Sequence, residues 1–306
     1  MNANLFHFLL TKCQDLNSGT HNHLDTVTRI LCQLTAYADG QLLEQCRLHS
    51  LINELLVYTV LVPVPIHGIS GTQITRGVKY EGDDVKNYAR TDRLSYISST
   101  SGVTPRLNRL NPEGVSMFYG CLGSNANSIG AVLSECQAQA GDTFYLLYSR
   151  TKPTAPDRID VINVASIGVF DYLRRGISIP FSVSEDFSQI YEFLRANTHP
   201  EGFLAMQLCD AFLTDILRRH GSPSVYSITS ALAKNCLSAP VLDGFLYPST
   251  KLDGHPNIAL RPSVVDERVR FDAAMAVRVE RNFGYGIYAT KILTQGTVRG
   301  DAIEWY

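Results

Sequence analysis

The sequence predicts an α+β protein, and three observations carry that expectation. Helical periodicity and strand-like alternation follow one another irregularly, not in the regular order of a βαβ winding. Helical patterns cluster in two separate blocks, residues 1 to about 60 and residues 184 to 236, with strand candidates between and after them. No segment recurs at a fixed period and no low-complexity tract is present, which sets aside solenoids and propellers. The 306 residues, 45% of them hydrophobic, suffice for one large domain or two ordinary ones with a proper core.

Taken in order, "HLDTVTRILCQLTAYADG" sets Leu24, Val27, Ile30, Leu31 and Leu34 on one helical face and stops at Gly40. "QLLEQCRLHSLINELLVYTVLV" repeats the pattern up to Pro63 and Pro65, so residues 1–62 read as a small helical unit and 63–306 as a second domain. Residues 66 to 114 are rich in Gly, Ser, Thr, Asn and Arg with little periodicity. "GVSMFYGCL" then reads as a strand, "NSIGAVLSECQAQ" as a helix, and "TFYLLYS" and "IDVINVASI" as strands. Three helices follow over 184 to 236, with Ser184 and Ser222 as caps. Short strands return after Asp243 and end in a hairpin made of "AMAVRVERNF" and "GIYATKILTQGTV".

Charge excludes some functions. Lys+Arg of 27 against Asp+Glu of 29 leaves a net charge of -2, with no field to draw the chain onto nucleic acid or an anionic membrane. A bound anion must be gripped locally. The seven cysteines form no C-x-x-C pair and read as reduced packing residues of a cytoplasmic protein. The N-terminus lacks a basic region before its short apolar run, and "LLVYTVLVPVPI" is too short to span a bilayer, so neither secretion nor membrane insertion is expected. Walker and dinucleotide fingerprints, H-E-x-x-H and G-x-S-x-G are all missing, and the scattered histidines give no metal site. "RANTH", Arg195 to His199, is one residue short of the R-x-x-x-x-H spacing of helical ribonucleases and reads as the basic end of a helix.

What remains is "NRLNPEGVSMFYG", residues 108–120: a cation, a turn, then an apolar run bearing a tyrosine. Upstream stands Arg76 in "ITRGVKYEGDD", and downstream stand Tyr247, Pro248, Ser249 and Asn257 in "GFLYPSTKLDGHPNIALRP". The three segments together resemble the RES domain of bacterial toxins that are paired with Xre-type antitoxins. Its opening arginine is similar to Arg76. Its Arg-x-Asn-x-x-Gly turn and tyrosine-bearing strand are similar to Arg109, Asn111, Gly114 and Tyr119, its glutamate to Glu135, and its Tyr-Pro-Ser and Asn-x-Ala to Tyr247, Ser249, Asn257 and Ala259. The likeness covers roughly residues 70 to 285. The gap between Tyr119 and Glu135 is longer than the family usually has, and Glu113 is the other acid nearby.

The resemblance implies an ADP-ribosyltransferase-like fold, a mixed split sheet flanked by helices around an NAD cleft. It also implies cleavage of NAD at the nicotinamide N-glycosidic bond, growth arrest by NAD depletion, NAD as substrate without a metal, and a protein antitoxin as partner. Water, phosphate or a macromolecule could accept the ADP-ribose, the last making the chain a protein ADP-ribosyltransferase. Rivals from other classes are a catalytically silent module acting through the N-terminal helices and a nucleic-acid-directed toxin, which would need a basic stripe that the charge census does not give; a homo-oligomer is compatible with any of them.

The residue chemistry stands beside that likeness. Guanidinium groups donate paired hydrogen bonds to a pyrophosphate, the task expected of Arg76 and Arg109, with Asn111 in the same turn. Gly114 lets that turn close. Tyr119 offers a ring face to nicotinamide. Glu135 near a helix C-terminus meets the unfavourable end of the macrodipole, which suggests another use: stabilising an oxocarbenium-like sugar. Ser249, fixed by Pro248 just after Tyr247, is expected to bind the nicotinamide ribose or amide. Each residue alone has a plainer reading: a surface ion pair for Arg109, core packing for Tyr119, a strand-end serine for Ser249.

Overall fold

A computed structural model describes residues 3–18, 22–66, 73–81, 88–123, 126–152, 162–176, 184–219, 221–238, 241–249, 251–252 and 255–306. The fold is α+β, as expected, and the chain divides into two compact units. Met1–Val62, Leu107–Pro112 and Ser166–Ala239 form a helical unit, while Pro63–Arg106, Glu113–Ala165 and Pro240–Tyr306 form a sheet unit. One break in this division falls after residue 62, where a boundary was expected, and the helices of 166–239 group with the N-terminal helices, not with the rest of 63–306.

Apolar stripes explain that regrouping. In the helical unit, α1 (Ala3–Asn17), α2 (His23–Ala38) and α3 (Gln45–Tyr58) come first, and α2 buries Val27, Ile30 and Leu34. Further along lie α5 (Val169–Arg174), α6 (Ser184–Asn197), α7 (Pro200–Arg218) and α8 (Pro223–Leu237). Helix α7 buries residues around most of its circumference, among them Ala205, Met206, Cys209, Leu213 and Ile216. Such a helix is a core element and needs neighbours on every side; α1, α2, α3, α5, α6 and α8 all pack on it. Ser222 caps α8, its side chain accepting from the Val225 amide at 3.2 Å. Ser184 is the first residue of α6.

The sheet unit holds β1 (Val62–Ile66), β2 (Gln73–Tyr80), β3 (Phe118–Leu122), β4 (Thr143–Thr151), β5 (Ile162–Ser166), β6 (Gly244–Pro248), β7 (Pro256–Leu260), β8 (Val269–Asn282), β9 (Tyr288–Arg299) and β10 (Ala302–Trp305). They form one ten-stranded sheet in the order β1-β5-β6-β7-β3-β2-β4-β8-β9-β10. Every ladder from β6 to β10 is antiparallel. Strand β4 has Phe144, Tyr145, Leu146 and Leu147 fully buried, the continuous apolar run of a strand covered on both faces. Phe144 and Leu146 belong to a cluster under α4 (Ala126–Glu135), and Tyr145 and Leu147 to a second cluster on the opposite face with Leu94, Ala274 and Val298. A short helix α9 (Pro262–Arg268) precedes β8.

One ladder is unusually short. Strands β2 and β3 pair only at Ile74 with Leu122 and Thr75 with Cys121, although β2 continues to Tyr80 and β3 begins at Phe118. Beyond that pair the two strands part, and a side chain occupies the place of the missing backbone bond.

Candidate functional site

That side chain is Arg76. On β2, Thr75 faces α4, its hydroxyl 3.4 Å from Ser128 Oγ. Arg76, one residue on, points to the opposite face by the alternation of a strand. Its Nη1 donates to the Tyr119 carbonyl at 2.9 Å, its Nε donates to the Leu94 carbonyl at 3.1 Å, and its guanidinium lies over the Phe118 ring at 5.6 Å. Two of its five N–H groups are thereby used to fix the fork. Burial pulls the Arg76 pKa below its ordinary value, while Cys136, Tyr119 and Tyr247 lie close enough to act against that shift. The residue stays a cation at neutral pH. Its charge thus reaches, through the parting of β2 and β3, to groups on the α4 face.

On that face the register brings the other residues together. Tyr119 pairs with Ala259, Cys121 with Asn257, and Asn257 with Tyr247, so Tyr119, Cys121, Asn257 and Tyr247 share one side of β3, β7 and β6. Glu135 is the last residue of α4 and lies above them. Its Oε1 accepts from Ser249 Oγ at 2.5 Å and from Asn257 Nδ2 at 2.9 Å. Ser249 Oγ in turn accepts the amides of Lys251 at 3.1 Å and Leu252 at 3.0 Å, a local turn that holds the hydroxyl with its proton towards the carboxylate. Asn257 Oδ1 accepts from the Cys121 thiol at 3.1 Å, which orients the amide so that its NH₂ faces Glu135. The placement of an acid at the wrong end of the α4 dipole is therefore offset by two directed donors.

The end of α4 is itself shaped. Gln137 adopts φ +53, and the amides of Gln137 and Ala138 close on the carbonyls of Ser134 at 3.0 Å and Leu133 at 2.9 Å. This is a Schellman termination with glutamine where glycine is favoured. Gly77 makes room beneath the helix, since a Cβ there would stand 2.3 Å from Val132 Cγ1. Cys136, next in the chain, reaches solvent, yet its surroundings push the thiol up to about 11, with Arg76 opposing and Glu135 reinforcing the burial. Arg76 and Glu135 are thus both near enough to Cys136 to act on its thiol, in opposite senses.

Several expectations change. Ser249 is 0% exposed and Asn257 4%, so both hold Glu135 and neither offers a free surface to a ligand, as Ser249 was expected to do. Tyr247 is also buried, while Tyr119 and Glu135 are half-buried. Arg109 and Asn111 belong to the helical unit. The Arg109 guanidinium donates to the carbonyl of Leu217, and to that of Arg219 at 3.3 Å, and rests 5.9 Å from the Tyr226 ring. It closes the C-terminus of α7, where a cation is favoured, and this is not the pyrophosphate contact expected of it. Asn108 and Asn111 face each other as an isolated bridge, so the tight turn lies at Arg109–Leu110, ahead of the turn at Gly114 with its φ of +80. Tyr119 falls near the start of β3, not at its end.

Cys121 and Cys136 were not expected at the site; as thiols in apolar patterns they carry no sequence signal beyond packing. Of the seven cysteines, all free, Cys32, Cys46 and Cys136 are exposed and so do not pack in a core. No group of His, Cys, Asp or Glu suited to a metal ion occurs among the described residues, and no described helix is long and apolar enough to cross a membrane. Comparison with protein-family models, with curated proteins and with solved structures finds no match.

Proposed function

We propose that the sheet unit, read as an ADP-ribosyltransferase-like domain, binds NAD and cleaves its nicotinamide N-glycosidic bond, in line with the RES-type resemblance. The observation that supports this reading most is the carboxylate of Glu135, held at one oxygen by Ser249 and Asn257, with the Arg76 cation near enough for both to act on the same Cys136 thiol. A fixed anion and a fixed cation at a break in the sheet suit a substrate that carries an electron-poor sugar and a diphosphate.

In this reading Arg76 grips the diphosphate with the N–H groups that Leu94 and Tyr119 leave over. Tyr119 offers its half-buried ring to the nicotinamide. As the bond from ribose C1′ to the pyridinium nitrogen breaks, its electron pair leaves with nicotinamide and positive charge develops over C1′ and the ring oxygen. The Glu135 carboxylate faces that charge and needs no reorientation, because Ser249 and Asn257 already hold it. An oxygen of water or phosphate then bonds to C1′, and in the case of water its proton leaves to solvent. The products are nicotinamide with ADP-ribose or its 1″-phosphate. Unchecked in a cytoplasm, that reaction drains NAD and arrests growth, which calls for an inhibitory protein partner.

The test is incubation of the purified chain with NAD, with and without phosphate, followed by product identification. Nicotinamide release that disappears in Glu135→Gln is expected. NAD left intact by the folded protein, alone and with cell extract, overturns the reading.

A further inference from the structure

A cavity of about 700 Å³ opens in the sheet unit, on the face away from α4, and no role has so far fallen to it. Its size is that of a small-molecule site. Arg76 does not line it but is linked to its wall by two independent contacts. The Leu94 carbonyl that takes Arg76 Nε precedes Ser95 and Tyr96, which line the cavity. Phe118, beneath the Arg76 guanidinium, meets the lining residue Phe271 at a centroid distance of 6.3 Å.

The lining has a definite chemistry. Tyr96 and Phe271 supply aromatic surface. Tyr96 is locked, its hydroxyl donating to both oxygens of Asp266 at 2.6 and 2.7 Å. Among the cations, Arg90 pairs with Asp301 and Arg270 with Asp272, and the Lys152 ammonium donates to the Asp266 carbonyl at 2.6 Å. Asp92 and Asp266 then have no basic partner among the described residues, which leaves the lining with an excess of acceptors and a negative balance. Ser95, 9% exposed, also has a hydroxyl without a hydrogen-bond partner. Such a wall favours a flat, neutral group rich in O–H and N–H donors and disfavours a phosphate.

The geometry points to this cavity as the pocket for the adenosine end of the dinucleotide, with Asp92 receiving ribose hydroxyls and excluding a 2′-phosphate. The assignment rests on the NAD reading above. With Glu135 on one side of the β2–β3 parting and Arg76 bridging it, the diphosphate lies between the two sugars, and the second nucleoside falls on the cavity side. A carboxylate that accepts from a ribose 2′-hydroxyl repels the same position once phosphorylated, so the pocket selects NAD over NADP.

Calorimetric titration of the full chain with AMP, adenosine 2′,5′-bisphosphate and nicotinamide mononucleotide tests this. AMP is expected to bind wild type, to bind Tyr96→Ala and Asp92→Lys at least about tenfold more weakly, and to exceed the bisphosphate by about tenfold or more. In Asp92→Lys the bisphosphate should regain affinity, and the mononucleotide should bind all three proteins alike. Asp92 is exposed, so its replacement leaves the fold intact even if that of Tyr96 does not. AMP that binds wild type and both variants equally, that fails to bind while the mononucleotide does, or that binds no better than the bisphosphate overturns the assignment. The two proposals fail separately. AMP binding lost in the pocket variants with NAD never cleaved removes the activity and keeps the pocket. NAD cleaved with an unchanged KM in both variants removes the pocket and keeps the activity.

Discussion

Ser249→Ala is the sharpest probe of how the carboxylate is held. The hydroxyl is fully buried, donates to Glu135 at 2.5 Å and accepts two backbone amides at 3.0 and 3.1 Å. Losing a hydrogen bond to a charged group costs about 1.5–3 kcal/mol, and leaving buried amides short of an acceptor adds about 1 kcal/mol or more. A stability loss of about 2–4 kcal/mol follows, read as a melting point lower by roughly 2–4 °C per kcal/mol. Glu135→Gln behaves differently, because Ser249 can still donate to the amide oxygen; its stability should change by less than about 1 kcal/mol while NAD cleavage falls by about a hundredfold or more. The double variant separates the two effects. Once the charge is gone, removing the hydroxyl should cost about 1–2 kcal/mol less than in wild type. Circular-dichroism melts and nicotinamide release by chromatography provide the readouts. A Ser249→Ala protein with wild-type melting and turnover, or strict additivity in the cycle, would refute the view that the serine exists to hold Glu135.

Three further outcomes are expected. Gln137→Gly relieves a positive φ of 53 at the end of α4 and should raise stability by about 0.5–1 kcal/mol in urea unfolding; a loss would mean the glutamine side chain has a task of its own. Gly77→Ala drives a Cβ into Val132, should cost about 1–3 kcal/mol by displacing α4, and should be partly rescued by Val132→Ala. In the helical unit, burial raises the carboxyl of Asp210 from 3.8 to about 6, against the opposing amides of Asp171 and Gly168. An acid whose folded pKa is raised contributes stability that is complete below pH 3.8 and is lost as pH rises through about 6, here roughly 3 kcal/mol. Asp210→Asn should flatten unfolding free energy between pH 4 and 6, and an unchanged slope would show that another group titrates there.

Local pattern made much of this molecule legible. The apolar stripe of α2, the run "FYLL" of β4, the cap at Ser222 and the long hairpin of β8 and β9 are all readable because each depends on residues close in sequence. The link between Glu135, Ser249 and Asn257 was legible only as types of residue in a given order. The contact itself spans more than a hundred positions and comes into being through the β3–β7–β6 register.

What the amino-acid order determined alone is therefore the class of the fold, the longer helices and the strands β3, β4, β5, β8 and β9, and the absence of a global field for polyanions, while β2, which carries Arg76, lay in a stretch without periodicity. Tertiary structure decided which groups meet. Arg109 sits in a segment whose nearest partners are the open carbonyls at the end of α7, and a guanidinium satisfies such carbonyls wherever they lie in the chain. Arg76 instead stands where β2 and β3 run out of mutual hydrogen bonds, so its fork stays partly unspent. Two arginines of one chemistry differ in role because unsatisfied backbone groups are a property of the folded chain, and their positions are set by pairing between distant strands and helices.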